Sequence, residues 1–557
     1  MWFLLASIAL AAPTALEEVL TGEMDRAILI MSVQDEPPHY LSLAVEDWSQ
    51  VNIVGRAGTV QKSSTDRARY LDVDLRVGEP ALDSTHDLRG FSALEGQSRT
   101  RKRIPIDDDY ALAHTVWREL DQRYRDAAER IVVVRANQIV KVEEEDPADD
   151  FEPREGVVQR TSVPELQVDI QGWEKTLTDV SARLEQHAFV HSGRVSLGAD
   201  RVLKTFVDTE GARLVHGRLH ARISLNVAST AEDGDIVHVF QSHDVHDPER
   251  LPDAQTLNRW VDEALVKLDG LRKAPRGEPY SGPVMLRGRA AGVFFHEVLG
   301  HRVEGHRQKR EYEGKTFADY VGDPILPTFM DVYDDPTLRS AEGVDLNGYY
   351  EFDDEGVAAA RAPLVEDGVF VGFLMGRSPI ADFVHSNGHG RRSAGNPPTA
   401  RMGNTVIETS KPLSEVALRK LLITQIRKQG LEFAYIIEDI DGGFTLTGRT
   451  TPNAFNVRAS TTWRVYADGR DDELVRGIDL VGTPLVAFGS IIGTGEEREV
   501  FNGVCGAESG WVPVSAVAPS LVFSKLEFQL KEKGQERPPL LEKPTLSLDG
   551  ASDGGEE

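Results

Sequence analysis

The stretch Phe294-Phe295-His296-Glu297-Val298-Leu299-Gly300-His301 decides how this chain reads. An apolar run leads into two imidazoles that bracket a carboxylate. Imidazole nitrogens bind a borderline-soft ion such as zinc, and a free carboxylate beside the ion can take a proton from water. That is the equipment of a metal-dependent hydrolase, here of the HExxxH type. Common zinc peptidases use H-E-x-x-H, with histidines four apart on one helix face. Here they are five apart, about 140° around an ideal helix. Both rings reach one ion only if the helix ends, bends or bulges near Gly300, and glycine suits such a distortion. The string also fits an ordinary buried amphipathic helix with partnered histidines. Glu297 itself has two readings. It is a general base, or it is a ligand together with His301, four residues further along the same face.

The motif extends to HEVLGHRVEGH at 296–306, and further blocks follow in order. They are YDDPTL at 333–338, FDDEG at 352–356, SNGHGRRS at 386–393 and ARMGNT at 400–405. Then come RGIDLVGTPL at 476–485, GVCG at 503–506 and VPVS at 512–515. In this order the blocks resemble the TldD/PmbA family of metallopeptidases, on its metal-bearing TldD side. The resemblance runs from about 281 to 520, and VDTEG at 207–211 resembles a turn of the family's N-terminal half. It implies Glu297 as the base and His296 and His301 as ligands. It also implies Cys505 as the third ligand, in a C-G block, and a thiolate suits zinc (Zn2+) better than calcium or magnesium. Short or unstructured peptides are the implied substrates. The implied assembly is a dimer that encloses the site, either a homodimer or a heterodimer with a metal-free relative. Two other readings stand beside this one: a non-catalytic binding or assembly subunit, and a metal-dependent amidase acting on a non-peptide substrate.

Composition narrows the classes. A chain of 557 residues is too long for one core, which points to two domains. Its net charge of −28 argues against nucleic-acid binding, which needs a basic surface. Cys505 is the only cysteine, so no intrachain disulfide forms. The start, MWFLLASIALAAPTALEE, has an apolar run with small residues and reads as a secretory signal over residues 1–15, although it lacks a basic n-region. Export is the expectation, with a cytoplasmic location as the alternative. No segment approaches the 18 or so apolar residues of a transmembrane helix.

The expected fold class is α+β: a mixed α/β N-terminal domain at 16–275, then a largely antiparallel β domain at 281–533 carrying the site helix. A disordered tail is expected at 534–557. Ala27–Val33 and Tyr40–Val45 read as strands, as do Val202–Val227 and Ile236–Ser242. The stripe of Ala113, Val116, Trp117, Leu120 and Tyr124 predicts a helix over Asp109–Arg130. Trp173–His187, Ala254–Lys273 and Ser414–Gln429 are further helices, the last capped by Ser414 and ended by Gly430. The site helix falls at about 289–300. Leu364–Leu374, Phe433–Ile440, Thr461–Ala467 and Leu485–Ile492 read as strands. The acidic run at 143–150 reads as a solvated loop, and Ala274–Pro283 as the domain junction.

Four more groups bear on the chemistry. His306 repeats the five-residue step after His301 and reads as a solvated histidine at the edge of the site. His238, His243, Asp244 and His246 could bind metal on paper. Arg391, Arg392 and Arg401 flank glycine-rich loops and could hold a carboxylate. The acids at 353–355 could orient a ligand histidine from behind.

Overall fold

The computed structural model describes residues 14–88, 102–139, 146–310, 312–445, 447–449, 454–532 and 541. The apolar start at residues 1–13 lies outside them, and so does the tail from 533 apart from Leu541. The architecture is α+β. Among the described residues its first part is an eight-stranded sheet with helices on one face.

The long strands of this sheet are β1 (Pro38–Arg56), β2 (Thr59–Glu79), β3 (Ser192–Asp208), β4 (Arg213–Thr230) and β5 (Ile236–Val245). Side chains alternate across a strand. In β1 the odd-numbered Leu41, Leu43, Val45, Val51 and Ile53 are buried. The first three pack under helices α1 (Ala15–Met31) and α2 (Asp109–Ile139). The last two pack under α3 (Ile170–Glu185) and α4 (Ala254–Lys273). The opposite face looks toward loops of the C-terminal part. On it His216 meets Phe352 with ring centroids 5.4 Å apart. Arg218 donates to Asn347 Oδ1 at 3.1 Å, and Arg222 to the Asn502 carbonyl at 3.1 Å.

The second sheet has twelve strands among the described residues, mostly antiparallel. Its main strands are β6 (Tyr280–Leu286), β7 (Met330–Asp334), β8 (Asn404–Thr409), β9 (Phe433–Thr445), β10 (Phe455–Tyr466), β11 (Ile478–Gly482), β12 (Ile491–Ala507) and β13 (Gly510–Leu530). β6 pairs with both β9 and β13, so the path β13-β11-β10-β9-β6 closes on itself. Helix α5 (Gly288–Val298) follows β6 and packs on β13. It can lie so close because a Cβ at Gly288 would come within 2.5 Å of the Ala518 carbonyl oxygen. Phe294 and Phe295 are wholly buried, and Phe294 meets Phe455, Phe488 and Phe523 edge-on. This aromatic cluster anchors the helix that carries the motif.

Four expectations change. Ala27–Val33 is not a strand, because Ala27–Met31 closes α1. Thr14 caps that helix, and Leu20, Met24 and Met31 fall on one buried stripe, so helical periodicity overrides the local β-propensity. Residues 484–488 form a short helix with Pro484 at its first turn, and the strand starts only at Ile491. The run Leu364–Leu374 is broken by a turn at Asp367 and Gly368, both at positive φ. The acidic run is not a solvated loop at its end. Asp150 is buried, accepts from the Asp83 amide at 3.0 Å and faces His86 Nδ1 at 2.8 Å; residues 143–145 lie outside the described ones. The helix after Ser414, α6 (Glu415–Gln429), does end at left-handed Gly430.

Candidate metal centre

α5 stops at Val298, and a 3₁₀ turn, Gly300–Arg302, takes over. The change of helix type lies between the two histidines. It brings their rings to a centroid distance of 5.2 Å, nearly perpendicular. Gly300 is needed for a reason other than backbone freedom. A Cβ there would lie 2.8 Å from Met402 Cε and closer still to Sδ. The third element is β12, whose partner β13 aligns Cys505 opposite Val512. Ligand atoms of His296, His301 and Cys505 all lie within 4.8 Å of one another. All three residues are buried, as is Glu297.

The surroundings fit a cation held by a thiolate and two imidazoles. His296 Nδ1 is buried without a hydrogen-bond partner. Cys505 Sγ lies 3.4 Å from His301 Nε2. Burial alone would push the Cys505 thiol up, but the imidazoles of His301 and His296 overcome this and hold it well below the usual thiol range. Burial would push His301 down, yet the Cys505 thiolate and Glu304 raise it well above the ordinary histidine range. His296 is raised against its burial in the same way, chiefly by Cys505. Sulfur, nitrogen and a charge-stabilised thiolate make a set suited to zinc.

Glu297 points at β9. A Cβ on Gly443 would lie 2.7 Å from Glu297 Cγ, so a larger residue there would displace the carboxylate. Arg302 donates to the Glu297 and Val298 carbonyls at 2.9 and 3.2 Å, closing the end of α5. Burial lowers its guanidinium to about 10.

The other sequence candidates fall elsewhere. His306 is not solvated. It is buried and pairs with Glu508. His238, His243, Asp244 and His246 do not converge. His238 pairs with Asp441 at 3.0 Å, and Asp244 holds His220 and Arg222. His246 Nε2 faces the Leu346 carbonyl, and His243 lies across the sheet from Ile223. The three arginines are all buried. Arg391 lies over the Tyr350 ring and reaches the Met402 carbonyl, while Arg392 pairs with Asp72. The acids at 353–355 bond to backbone amides and to Lys204 rather than to either ligand histidine. The acid beside His301 is Glu304, three residues on, which spacing alone did not mark.

Residues 279–530 match the PmbA/TldA metallopeptidase C-terminal domain. This stretch of the chain is thus the C-terminal domain of the TldD/PmbA family. A metalloprotease of Methanothermobacter thermautotrophicus is 29% identical over 279 residues, 48% of this chain and 54% of that protein. A zinc metalloprotease TldD homolog of Saccharolobus solfataricus is 22% identical over 321 residues, 55% of this chain and 64% of that protein. The chain thus spans about half the length of the curated relatives it matches. The crystal structure of TldE from Thermococcus kodakarensis superposes with a TM-score of 0.60 at 14% identity, covering 92% of this chain and 100% of that one. At that identity the likeness concerns the fold. No helix among the described residues is long and apolar enough to cross a membrane.

Proposed function

We propose that the chain is a zinc-dependent peptidase acting on short or unstructured peptides held in extended form. One observation carries the reading: two histidines and the only cysteine, from segments about 200 positions apart, converge within 4.8 Å beside Glu297. Bound zinc supplies Lewis-acid polarisation of the scissile carbonyl and acidifies the attacking water. His296, His301 and Cys505 hold the ion. The Glu297 carboxylate takes the proton of the attacking water and passes it to the leaving amine. Gly443 leaves room for that carboxylate, and Arg302 fixes the carbonyl of the same residue. An extended peptide has its backbone satisfied by main-chain hydrogen bonds, as in strand addition to a sheet edge.

A dimer, with an identical chain or a family relative, is part of the proposal. The outward side of the Cys505 hairpin supports it, because Trp511 is 70% exposed and Val504 50% exposed there. The complete donor set runs against a non-catalytic subunit, and a substrate screen separates peptidase from amidase. Metal analysis tests the core of the proposal. The expected result is about one zinc per chain, falling sharply in Cys505→Ala and His301→Ala. Undiminished zinc in both variants refutes the site.

A further inference from the structure

A fully buried ion pair lies between the two ligand-bearing segments. Arg401 Nε is 3.2 Å from Glu304 Oε1, and neither side chain has exposed surface. Glu304 Oε2 stands 3.4 Å from His301 Nδ1, while the opposite ring nitrogen stands 3.4 Å from Cys505 Sγ. On its other side Arg401 donates to the Cys505 carbonyl at 2.8 Å and to Ser509 Oγ at 2.8 Å. One chain of contacts therefore runs from the imidazole, through carboxylate and guanidinium, to the backbone of the cysteine.

We propose that Glu304 and Arg401 are positioning residues of the metal centre. With the ion bound, Glu304 would keep the single proton of a neutral His301 on Nδ1 and leave the Nε2 lone pair for the ion shared with the Cys505 thiolate. Arg401 holds Glu304 and the Cys505 backbone in register. The inference rests on the metal reading above and deepens it. A neutral imidazole offers one lone pair, and a carboxylate on its other nitrogen decides which. Glu304 cannot turn away, because Arg307 holds Oε2 at 2.7 and 2.9 Å while Arg401 faces Oε1. The same shared Oε2 accounts for the long contact to His301. A fully buried ion pair is no better for stability than apolar residues of the same volume. Its place between two ligands gives it a job that apolar residues could not do.

The test uses metal-stripped full-length protein, with zinc affinity measured against a chromophoric chelator and the cobalt(II) spectrum recorded in parallel. Glu304→Gln keeps the shape and removes the charge. Affinity is expected to fall about 10–100-fold, with a shifted thiolate-to-cobalt band. Glu313→Gln is the control. It removes a buried charge from the same network, 2.8 Å from Arg307, without touching Glu304 or His301, and is expected to bind zinc like the parent. Arg401→Lys keeps a charge but cannot span Glu304, Cys505 and Ser509 together. It is expected to weaken zinc in the same direction and serves if Glu304→Gln does not fold. Parent-like affinity and spectrum in the Glu304 and Arg401 variants overturn the proposal. So does an equal loss in Glu313→Gln, which would mark general destabilisation. A parent that binds zinc no better than His301→Ala instead overturns the metal reading, and the positioning role falls with it.

Discussion

Replacing Gly300 with alanine puts a methyl group where Met402 already sits. The new Cβ would lie 2.8 Å from Met402 Cε and nearer to Sδ, against 3.4–4 Å for ordinary contact. Gly300 is not in the left-handed region, so the backbone itself accepts alanine. By the unfolded-state argument alone, alanine would stabilise by about 0.4–1 kcal/mol. Overpacking a close-fitted site costs about 1–3 kcal/mol. Met402 is 1% exposed and cannot swing out to solvent, so the clash wins. The expected net loss is about 1–2 kcal/mol, and zinc affinity falls too, because the displaced turn carries His301. The assay is urea unfolding of metal-stripped protein for Gly300→Ala, Met402→Ala and the double variant. Met402→Ala alone costs about 2–5 kcal/mol by leaving a cavity. In the double variant the new methyl enters that cavity, so the double should cost less than the sum by about 1 kcal/mol or more. Parent-like stability of Gly300→Ala, or strict additivity, would refute the reasoning.

Further outcomes are expected. Glu297→Gln should retain zinc and fold while losing at least about two orders of magnitude in peptide hydrolysis; loss of the metal instead would make Glu297 a ligand. Burial, with Lys204 adding to it, lowers His216 to about 3. Because that folded-state value lies below the unfolded one, the unfolded chain binds the extra proton, and stability drops as pH falls from about 6.5 toward 3. The slope for this one group is about 1.4 kcal/mol per pH unit. His216→Asn should flatten that part of the acid limb, and an unchanged slope in acid titrations of stability would count against it. A digestion series on one protein, native and unfolded, should show cleavage of the unfolded form only, since the site residues are buried; equal cleavage would contradict an enclosed site.

The residues near 296–301 announced a candidate metal site because the chemistry is written in side-chain types. Imidazole, carboxylate and thiol are legible wherever they stand. The helix expected at Asp109–Arg130 from its stripe, which continues to Ile139, and the capped helix Glu415–Gln429 were legible for the same local reason. What sequence alone left open was which partners meet. Five-residue spacing allowed several distortions; the one taken is a 3₁₀ turn, and the residue that packs on it so closely that only glycine fits, Met402, lies about a hundred positions away. His306 read as solvated because its partner Glu508 lies 202 positions along the chain. Arg401 read as a loop arginine because burial is a property of packing rather than of residue type. Cys505 stood out in the chain by being alone. Only pairing of β12 with β13, and the packing of α5 on that sheet, brought its sulfur to the histidines. Contacts between distant segments are decided by close packing of the whole core, which no local pattern encodes.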